Sequence, residues 1–359
     1  MPSRRVVHSS YSLCDAQSII DSNFSLHSTV RDYEYENGRR YHAYRNGQYP
    51  MPNDEEEQDR LAFMHHLFKL LLGGALYRAP IEQAQTPQRI LDVGTGTGIW
   101  AIDIAEDFPG AEIVGTDLSP IQPNWAPPNC TFLVDDAESE WAFSPSEAFD
   151  YIHVRSLGGG ISDWKKFLKQ AYNHVKPGGW VEIQEYETWL RSDDGTAERA
   201  PMLMDWQYKI DEASRLFGRH MNVAPNLAQW MEDAKFINVQ DDVYKVRESV
   251  YYLRPDTSFV RTNVADRNQA PVGSWPKNNR LKEIGRVGRV TLYEAVEPYT
   301  LALFTRVLGY SPEDARNYVD KVRAELLDSS HHIYVLYHYV YGQRPLEDDT
   351  NAQGMNTDI

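Results

Sequence analysis

Cysteine and basic clusters are both scarce in this chain of 359 residues. The two cysteines, Cys14 and Cys130, are far apart and form no CxxC pair, so neither a disulfide framework nor a thiolate zinc site is indicated. That composition fits a reducing intracellular compartment. Acidic residues number 52 against 36 basic ones, and the formal net charge is -16. Because phosphate recognition needs a positive surface, nucleic acid is a poor candidate partner.

Long apolar runs are also missing. None is long enough to cross a bilayer, and the N-terminal MPSRRVVHSSYSL lacks the apolar centre of a signal peptide. We therefore expect no membrane association, no secretion, and a cytoplasmic or nuclear location. The histidine pairs His65-His66 and His331-His332 have diverging side chains and no third ligand at suitable spacing, so no metal site is expected.

Short apolar segments alternate with helical patterns through the middle of the chain. A helix is predicted to begin after the N-cap Asp54 and to end at Gly73-Gly74. Five predicted strands follow, RILDVG, AEIVGTDLS, CTFLVDDAE, FDYIHVRSL and GGWVEIQEYE, with helices at 100–106 and 164–174. This alternation predicts a parallel sheet covered by helices on both faces. KFINVQDDVYKV and HHIYVLYHYVYG are predicted to return to the sheet as later strands.

The rest of the chain is predicted to surround this sheet as one domain, residues 31–345. Two mainly helical excursions are expected to pack together as a cap. The predicted parts are a flexible segment 1–30, a cofactor-binding core at about 85–187, cap segments 188–234 and 247–328, and a polar tail 346–359.

The segment after residue 31 is rich in tyrosine and charge and permits two interpretations. It is either a solvated arm with a turn at Asn37-Gly38, or an aromatic lid over a pocket. In the second case Tyr33, Tyr35, Arg40 and Tyr41 would close over the bound cofactor.

The strand ends carry the residues with chemical interest. In an open parallel sheet, ligands bind beyond the carboxyl ends of the strands. The first strand ends in DVGTGTG, the second in an acid, and the third in two acids and an alanine. The predicted cofactor-binding residues are Asp92, Gly94, Thr95, Gly96, Gly98, Asp117, Leu118, Asp135, Asp136 and Ala137. The plainer alternative is that Asp92 caps a turn and Asp117 is a solvated acid.

The position of the first acid distinguishes two cofactors. A dinucleotide loop reads GxGxxG and places a pyrophosphate at a helix N-terminus, whereas this loop reads GTGTG and Asp92 precedes it. A carboxylate would repel pyrophosphate but would attract the ammonium and sulfonium groups of S-adenosylmethionine. Asp117 is then placed to accept hydrogen bonds from ribose hydroxyls, and a carboxylate of Asp135-Asp136 from an adenine amino group. The predicted cofactor is S-adenosylmethionine.

These motifs, together with KPGGW before the fifth strand, resemble class I S-adenosylmethionine-dependent methyltransferases. Longer stretches resemble the fungal LaeA-like methyltransferases over roughly residues 31–345, including YENGRRYHAYRNGQY, GTDLSPIQPNWAPPN, DDAESEW and WPKNNRLKEIG. The resemblance implies a Rossmann-like α/β fold with a seven-stranded, mostly parallel sheet whose last strand is antiparallel. It also implies a role in fungal secondary metabolism or its regulation.

The methyl acceptor is not specified by these motifs, but two catalytic candidates lie at the end of the fourth strand. His153 would deprotonate an acceptor hydroxyl, or would be an ordinary core histidine. Arg155 would bind a carboxylate, either the acceptor's or the cofactor's, or would pair with Glu185 or Asp163.

Three functions remain open from the sequence. The first is O- or N-methylation of a small molecule in fungal secondary metabolism. The second is LaeA-like regulation through a nuclear complex with a velvet-type protein partner. The third is a fold that keeps the cofactor as a scaffold for a reaction other than methyl transfer.

Overall fold

The computed structural model describes residues 33–83, 85–244 and 269–346. The predicted flexible segment, most of the polar tail and most of the loop at 254–280 lie outside these residues. Within the described ranges, no helix combines the length and apolarity that crossing a membrane would require.

A small hairpin opens the described chain. Strands β1 (Glu34–Glu36) and β2 (Arg39–Tyr41) pair antiparallel across a turn at Asn37 and Gly38. Asn37 and Gly38 have positive φ values of 52° and 80°. Positive φ at both central residues is typical of a two-residue turn that matches the twist of the paired strands. The predicted turn is therefore present, as the tip of a hairpin.

Helix α1 (Glu55–Leu71) follows, as the capping residues predict. The side chain of Asp54 accepts a hydrogen bond from the backbone N–H of Glu57, and three glutamates occupy the first turn. Acidic side chains there interact favourably with the positive end of the helix dipole. The helix ends before Gly73 and Gly74, whose positive φ values of 71° and 102° are not helical.

The central sheet has the predicted alternating arrangement. Its strands are β3 (Arg89–Val93), β4 (Glu112–Asp117), β5 (Cys130–Val134), β6 (Phe149–Arg155), β7 (Val175–Tyr186), β8 (Ile237–Tyr244), β9 (Gln269–Val272) and β10 (Ile333–Gln343). The hydrogen-bonded order is β5-β4-β3-β6-β7-β10-β8, with β9 attached to β10. β10 runs antiparallel to β7, β8 and β9, whereas the pairs from β5 to β7 are parallel. This topology confirms the predicted class I fold.

Two local features of the sheet differ from the sequence prediction. The predicted turn before the fifth strand, Lys176-Pro177-Gly178-Gly179, lies within β7. These four residues have no partner in β6, because Val175 pairs with Phe149 and the next paired residue, Trp180, pairs with Tyr151. Gly178 has a φ of 80°, so this is a glycine-containing bulge in a continuous strand. β9 was not predicted, since its four residues lack a recognisable strand pattern.

The helices that flank the sheet are α2 (Ile99–Asp107) and α3 (Trp164–His174), and the later ones are α4 (Pro201–Leu216), α5 (Leu227–Asp233), α6 (Asn279–Arg306) and α7 (Pro312–Leu327). The predicted helical region 200–234 is thus two helices separated by residues 217–226.

The helices of the two excursions contact each other directly. The indole Nε1 of Trp206 in α4 donates to Thr300 Oγ1 in α6 at 2.8 Å, and the Tyr318 hydroxyl in α7 donates to Asp205 at 2.6 Å. Their apolar side chains share one buried cluster with α1 and β10. The boundaries between core and cap remain a prediction.

Candidate active site

The glycine loop between β3 and α2 requires its glycines. Gly94, Gly96 and Gly98 have positive φ values of 70°, 58° and 79°. A Cβ atom at Gly98 would lie 2.5 Å from the ring of Phe132, and one at Gly94 would lie 2.9 Å from Leu157. Substitution would therefore create both backbone strain and overlap. The loop forms one wall of a cleft at the carboxyl ends of the strands.

Asp92 lies under this loop with both carboxylate oxygens engaged. Oδ2 accepts a hydrogen bond from Thr95 Oγ1 at 2.6 Å, and Oδ1 lies 2.7 Å from Nδ1 of His153. The His153 ring stacks on Trp100 with centroids 3.6 Å apart and is fully buried. Asp92 thus does more than cap a turn, because it connects the loop to β6 through His153.

Asp117 ends β4 and faces the same cleft. Its Oδ2 accepts the backbone N–H of Gly96 at 2.8 Å and its Oδ1 that of Ser119 at 2.9 Å. Burial raises the pKa of this carboxyl to about 6, and the nearby charge of Asp92 acts in the same direction. Asp117 is therefore a partly buried, hydrogen-bonded acid that lines the cleft, and the adjacent Leu118 also lines it.

The end of β5 brings a third group of predicted residues to the cleft. Asp135, Asp136 and Ala137 all line it. Asp136 is engaged locally, since it accepts a hydrogen bond from Ser139 Oγ at 2.9 Å and pairs with Arg45 at 3.1 Å. Burial raises the pKa of Asp135. Of the two acids, Asp135 has the fewer side-chain partners and is the freer acceptor for a ligand.

Arg155, at the end of β6, is a partly buried cation that lines the cleft. One guanidinium nitrogen lies 3.1 Å from Nδ1 of His65, and the group stacks over the ring of Phe68 at 5.3 Å. Burial lowers the pKa of Arg155. His65 in turn donates from Nε2 to Asp103 at 3.1 Å, an arrangement that suits a neutral imidazole, and burial lowers the pKa of His65.

The ion pairs considered for Arg155 from the sequence do not form. Glu185 accepts the backbone N–H groups of Gly158 and Tyr186, and Asp163 caps α3. Across the described ranges, the guanidinium of Arg155 has no carboxylate partner within 4.0 Å. It lines the cleft and is available to an anionic group of a ligand.

Further cleft residues come from α1 and α6, which sequence reasoning did not identify. Glu57 and Arg60, both buried, form a bidentate pair with N–O distances of 2.8 and 2.6 Å. The Arg60 guanidinium lies over the ring of Tyr299 at 5.6 Å. The sequence pattern that could have indicated this pair is the spacing of Glu57 and Arg60, two charged residues three positions apart on an otherwise apolar helix face.

The N-terminal arm also reaches the cleft, but not through the predicted tyrosines. Tyr35 is 72% exposed, Tyr41 packs under Arg306, and Arg40 binds Glu55 and Asn53. The arm residues that line the cleft are Gln48, Tyr49, Met51, Pro52 and Asn53. The lid interpretation was therefore wrong in its residues, although the arm does cover the cleft.

Other predicted groups lie elsewhere. Trp189, Trp206, Tyr208, Phe217 and Trp230 are the aromatic residues of the cap that the sequence suggests as a substrate-pocket lining or as ordinary cap core. Tyr208 is exposed beside Trp189, Trp230 stacks on Trp164, and Trp206 lines a cavity in the cap. No group of three or more histidine, cysteine or acidic side chains within the described ranges is arranged to hold a metal ion.

Comparisons with known proteins agree with this geometry. A family model described as a methyltransferase domain matches residues 63–241. Methyltransferase pytC of Aspergillus terreus is 40% identical over 322 residues, which cover 89% of this chain and 91% of the relative. Secondary metabolism regulator LAE1 of Cochliobolus heterostrophus is 35% identical over 86% of this chain and 94% of the relative.

Similarity to solved structures is more distant. A phosphoethanolamine N-methyltransferase 2 of Haemonchus contortus covers 80% of this chain and 52% of its own, at 19% identity and a TM-score of 0.40.

The sheet topology, the family match and these relatives define a methyltransferase that uses S-adenosylmethionine as its cofactor. Within that class, the chain belongs to the fungal LaeA-like methyltransferases.

Proposed function

We propose that this enzyme methylates an oxygen or nitrogen atom of a small molecule in fungal secondary metabolism. The observation that carries the proposal is the cleft itself, where the ends of β3, β4 and β5 meet under a roof made of the arm, α1 and α6. A roofed cleft favours a small acceptor that enters it over a protein surface that must dock on it. The relative named as a methyltransferase supports the same assignment.

The residues of the cleft suit the cofactor. Asp117 supplies carboxylate oxygens for ribose hydroxyls, and Asp135 supplies an acceptor at the adenine end. Arg155, at the other end, matches the carboxylate of the cofactor's methionine part. Asp92 and the other acids give this cleft a negative floor, which attracts a ligand with sulfonium and ammonium charges.

Methyl transfer requires little covalent assistance from the protein. When bound, S-adenosylmethionine supplies an electrophilic methyl group: a lone pair of the acceptor forms the new bond to carbon while the carbon–sulfur pair returns to sulfur. The acceptor proton passes to solvent at the open side of the cleft. The roof residues orient the acceptor in line with that bond and exclude water, and such positioning carries much of the rate.

His153, a candidate base from the sequence, is better assigned to positioning. Its Nδ1 is directed at Asp92, and its ring is fully buried against Trp100. A general base must approach the proton that it removes. We therefore assign His153 to holding Asp92, and through it the glycine loop, in place.

A second candidate function is regulation through a protein partner. The edge strand β5 carries Leu133 and Val134, which are 44% and 40% exposed, and Trp125 shortly before it is 71% exposed. Exposed apolar side chains outside a ligand cleft favour protein contacts. The relative named as a secondary metabolism regulator makes this the main alternative.

The deciding experiment is transfer of a labelled methyl group from S-adenosylmethionine into a fungal extract, followed by separation of protein from small molecules. We expect label in the small-molecule fraction, and much less of it with an Asp117→Ala variant when S-adenosylmethionine is limiting. Label confined to protein would support the regulator instead. Cofactor binding without any transfer would contradict the proposed methylation and favour a scaffold role or regulation through protein contacts alone.

A further inference from the structure

A second cavity lies in the cap and adjoins the cofactor cleft. It is enclosed by the segment after β7 and by α4, α6 and β10, and its apolar lining includes Leu190, Trp206, Ile210, Leu292, Ala295 and Val335. We call this cavity the cap chamber. Two residues, Met64 and Tyr299, line both the chamber and the cleft. The chamber and the cleft are therefore neighbours that share these two side chains as a boundary.

The mouth of the chamber is polar. The hydroxyl groups of Tyr186 and Tyr299 are hydrogen-bonded to each other, and the Arg60 guanidinium lies over the Tyr299 ring. Hydroxyl groups act both as donors and as acceptors, so this pair can bind an acceptor's O–H or N–H group at the edge of the cleft. Burial raises the pKa of both phenols, which keeps them neutral.

Two polar groups of the chamber that do not line the cleft lack adequate partners. Gln207 is 4% exposed, and its Oε1 accepts the Leu190 backbone N–H at 2.7 Å, which fixes the orientation of the amide. Among the described residues, the Gln207 Nε2 contacts only the sulfur of Met204, at 3.4 Å. The buried hydroxyl of Thr188 has no hydrogen-bond partner in the same part of the chain. A ligand in the chamber that offers an acceptor atom would satisfy both groups.

The charge of the chamber is balanced. Its one acidic lining residue among those described, Glu187, is ion-paired with Arg191 and lies 3.4 Å from Nε2 of His338. A charged ligand would lose its hydration without gaining a partner of opposite charge.

We propose that the cap chamber holds the body of the methyl acceptor, an uncharged and largely apolar small molecule. This molecule carries a carbonyl or ether oxygen that accepts hydrogen bonds from Gln207 and Thr188. Its nucleophilic hydroxyl or amine group lies at the Tyr186–Tyr299 pair, facing the cleft. The inference depends on the proposed function, because it specifies the substrate class of the same site.

Two matched probes test the chamber, 4-hydroxyacetophenone and 4-ethylphenol, which are similar in size but differ in the carbonyl oxygen. Their binding to the full-length protein saturated with S-adenosylhomocysteine is measured by ligand-observed NMR. We expect 4-hydroxyacetophenone to bind about fivefold to tenfold more tightly, as one added hydrogen bond would give. Thr188→Val, which keeps the shape of the side chain, should reduce that preference.

A chamber-filling variant provides the structural control. Ala295→Leu places additional atoms in the chamber and should weaken both probes about tenfold or more, with an unchanged affinity for S-adenosylhomocysteine. Val290→Leu, on the exposed side of the same helix, should alter neither. Thermal melting verifies that each variant is folded.

The possible failures are distinguishable. If S-adenosylhomocysteine does not bind to the unmodified protein, the proposed function itself is wrong. If it binds normally but the probes do not, or if Ala295→Leu binds them as well as the unmodified protein, the chamber is only a packing void and this inference is overturned.

Discussion

The protonation of Asp117 should control cofactor affinity in the weakly acidic range. Burial raises the pKa of this carboxyl to about 6. In the proposed complex, the ribose hydroxyls would donate hydrogen bonds to the ionised form. The affinity for S-adenosylmethionine should therefore be highest well above pH 6 and should fall as the pH decreases through that value. At pH 5 about one tenth of the carboxyl is ionised, so the dissociation constant should rise about tenfold relative to pH 7.5, or about 1.4 kcal/mol.

The substitution Asp117→Asn tests the assignment because it removes the charge and the titration together. Hydrogen bonds to charged groups contribute about 1.5 to 3 kcal/mol, so the variant should bind S-adenosylmethionine about 10- to 150-fold more weakly at pH 7.5. Its affinity should then vary little between pH 5 and 7.5.

Isothermal titration of both proteins at several pH values measures these effects. Asp135 serves as the internal alternative, since burial also raises the pKa of that residue. If the affinity of Asp117→Asn also falls tenfold at pH 5, the titrating group is a residue other than Asp117. A flat profile in the unmodified protein would refute the reasoning for Asp117.

Three further predictions concern the loop, the cleft and the sheet. Gly98→Ala should lower the melting temperature by several degrees and the free energy of unfolding by about 1 to 3 kcal/mol, because its Cβ would lie 2.5 Å from Phe132. The control is Gly110→Ala, whose Cβ would have no atom within 4 Å. Equal losses of stability in the two variants would contradict the packing argument. Arg155→Ala should weaken binding of S-adenosylmethionine but not of 5′-methylthioadenosine, which lacks the carboxylate; titration calorimetry with both ligands shows whether the loss is selective. The free energy of unfolding should fall by about 2 to 3 kcal/mol as the pH rises from 6.5 through 9, because His338 loses its proton over this range. Denaturant titrations measure this fall, and the His338→Gln variant should not show it.

The direction of the last effect follows from the two partners of His338. Burial alone would lower its pKa, but hydrogen bonds from Nδ1 to Asp241 at 2.9 Å and from Nε2 to Glu187 at 3.4 Å outweigh it and raise the pKa to about 9. The imidazolium therefore stabilises the folded state fully below the unfolded pKa of about 6.5, and this contribution is lost above pH 9.

The central part of the site was predictable because it depends on local rules. Parallel strands place their carboxyl ends at one edge of the sheet, so residues after β3, β4 and β5 must meet there. A cluster of glycines and the acids at predicted strand ends are recognisable in the chain without any knowledge of distant contacts. The prediction that Asp92, Asp117 and Asp135 share one cleft follows from this topology.

The roof was not predictable in the same way. A helical pattern shows that α1 and α6 each bury one face, but it does not show which cavity that face covers. Tyr299 follows Asp92 by more than half of the chain and reaches the cleft only through the packing of α6 on α1. The arm was misassigned because tyrosine density does not distinguish Tyr35, which is exposed, from Tyr49, which lines the cleft.

The hairpin of β1 and β2 links parts of the molecule that are distant in sequence. Arg39 binds Asp54 at the start of α1, Glu36 binds Arg306 at the end of α6, and the backbone carbonyl of Asn37 accepts a hydrogen bond from Arg316 in α7. The arm that continues from this hairpin forms part of the cofactor cleft. If cofactor binding favours attachment of the hairpin, then attachment of the hairpin must favour cofactor binding by the same factor. The arm and its hairpin thus connect the cap helices to the cleft by a route that does not pass through the sheet.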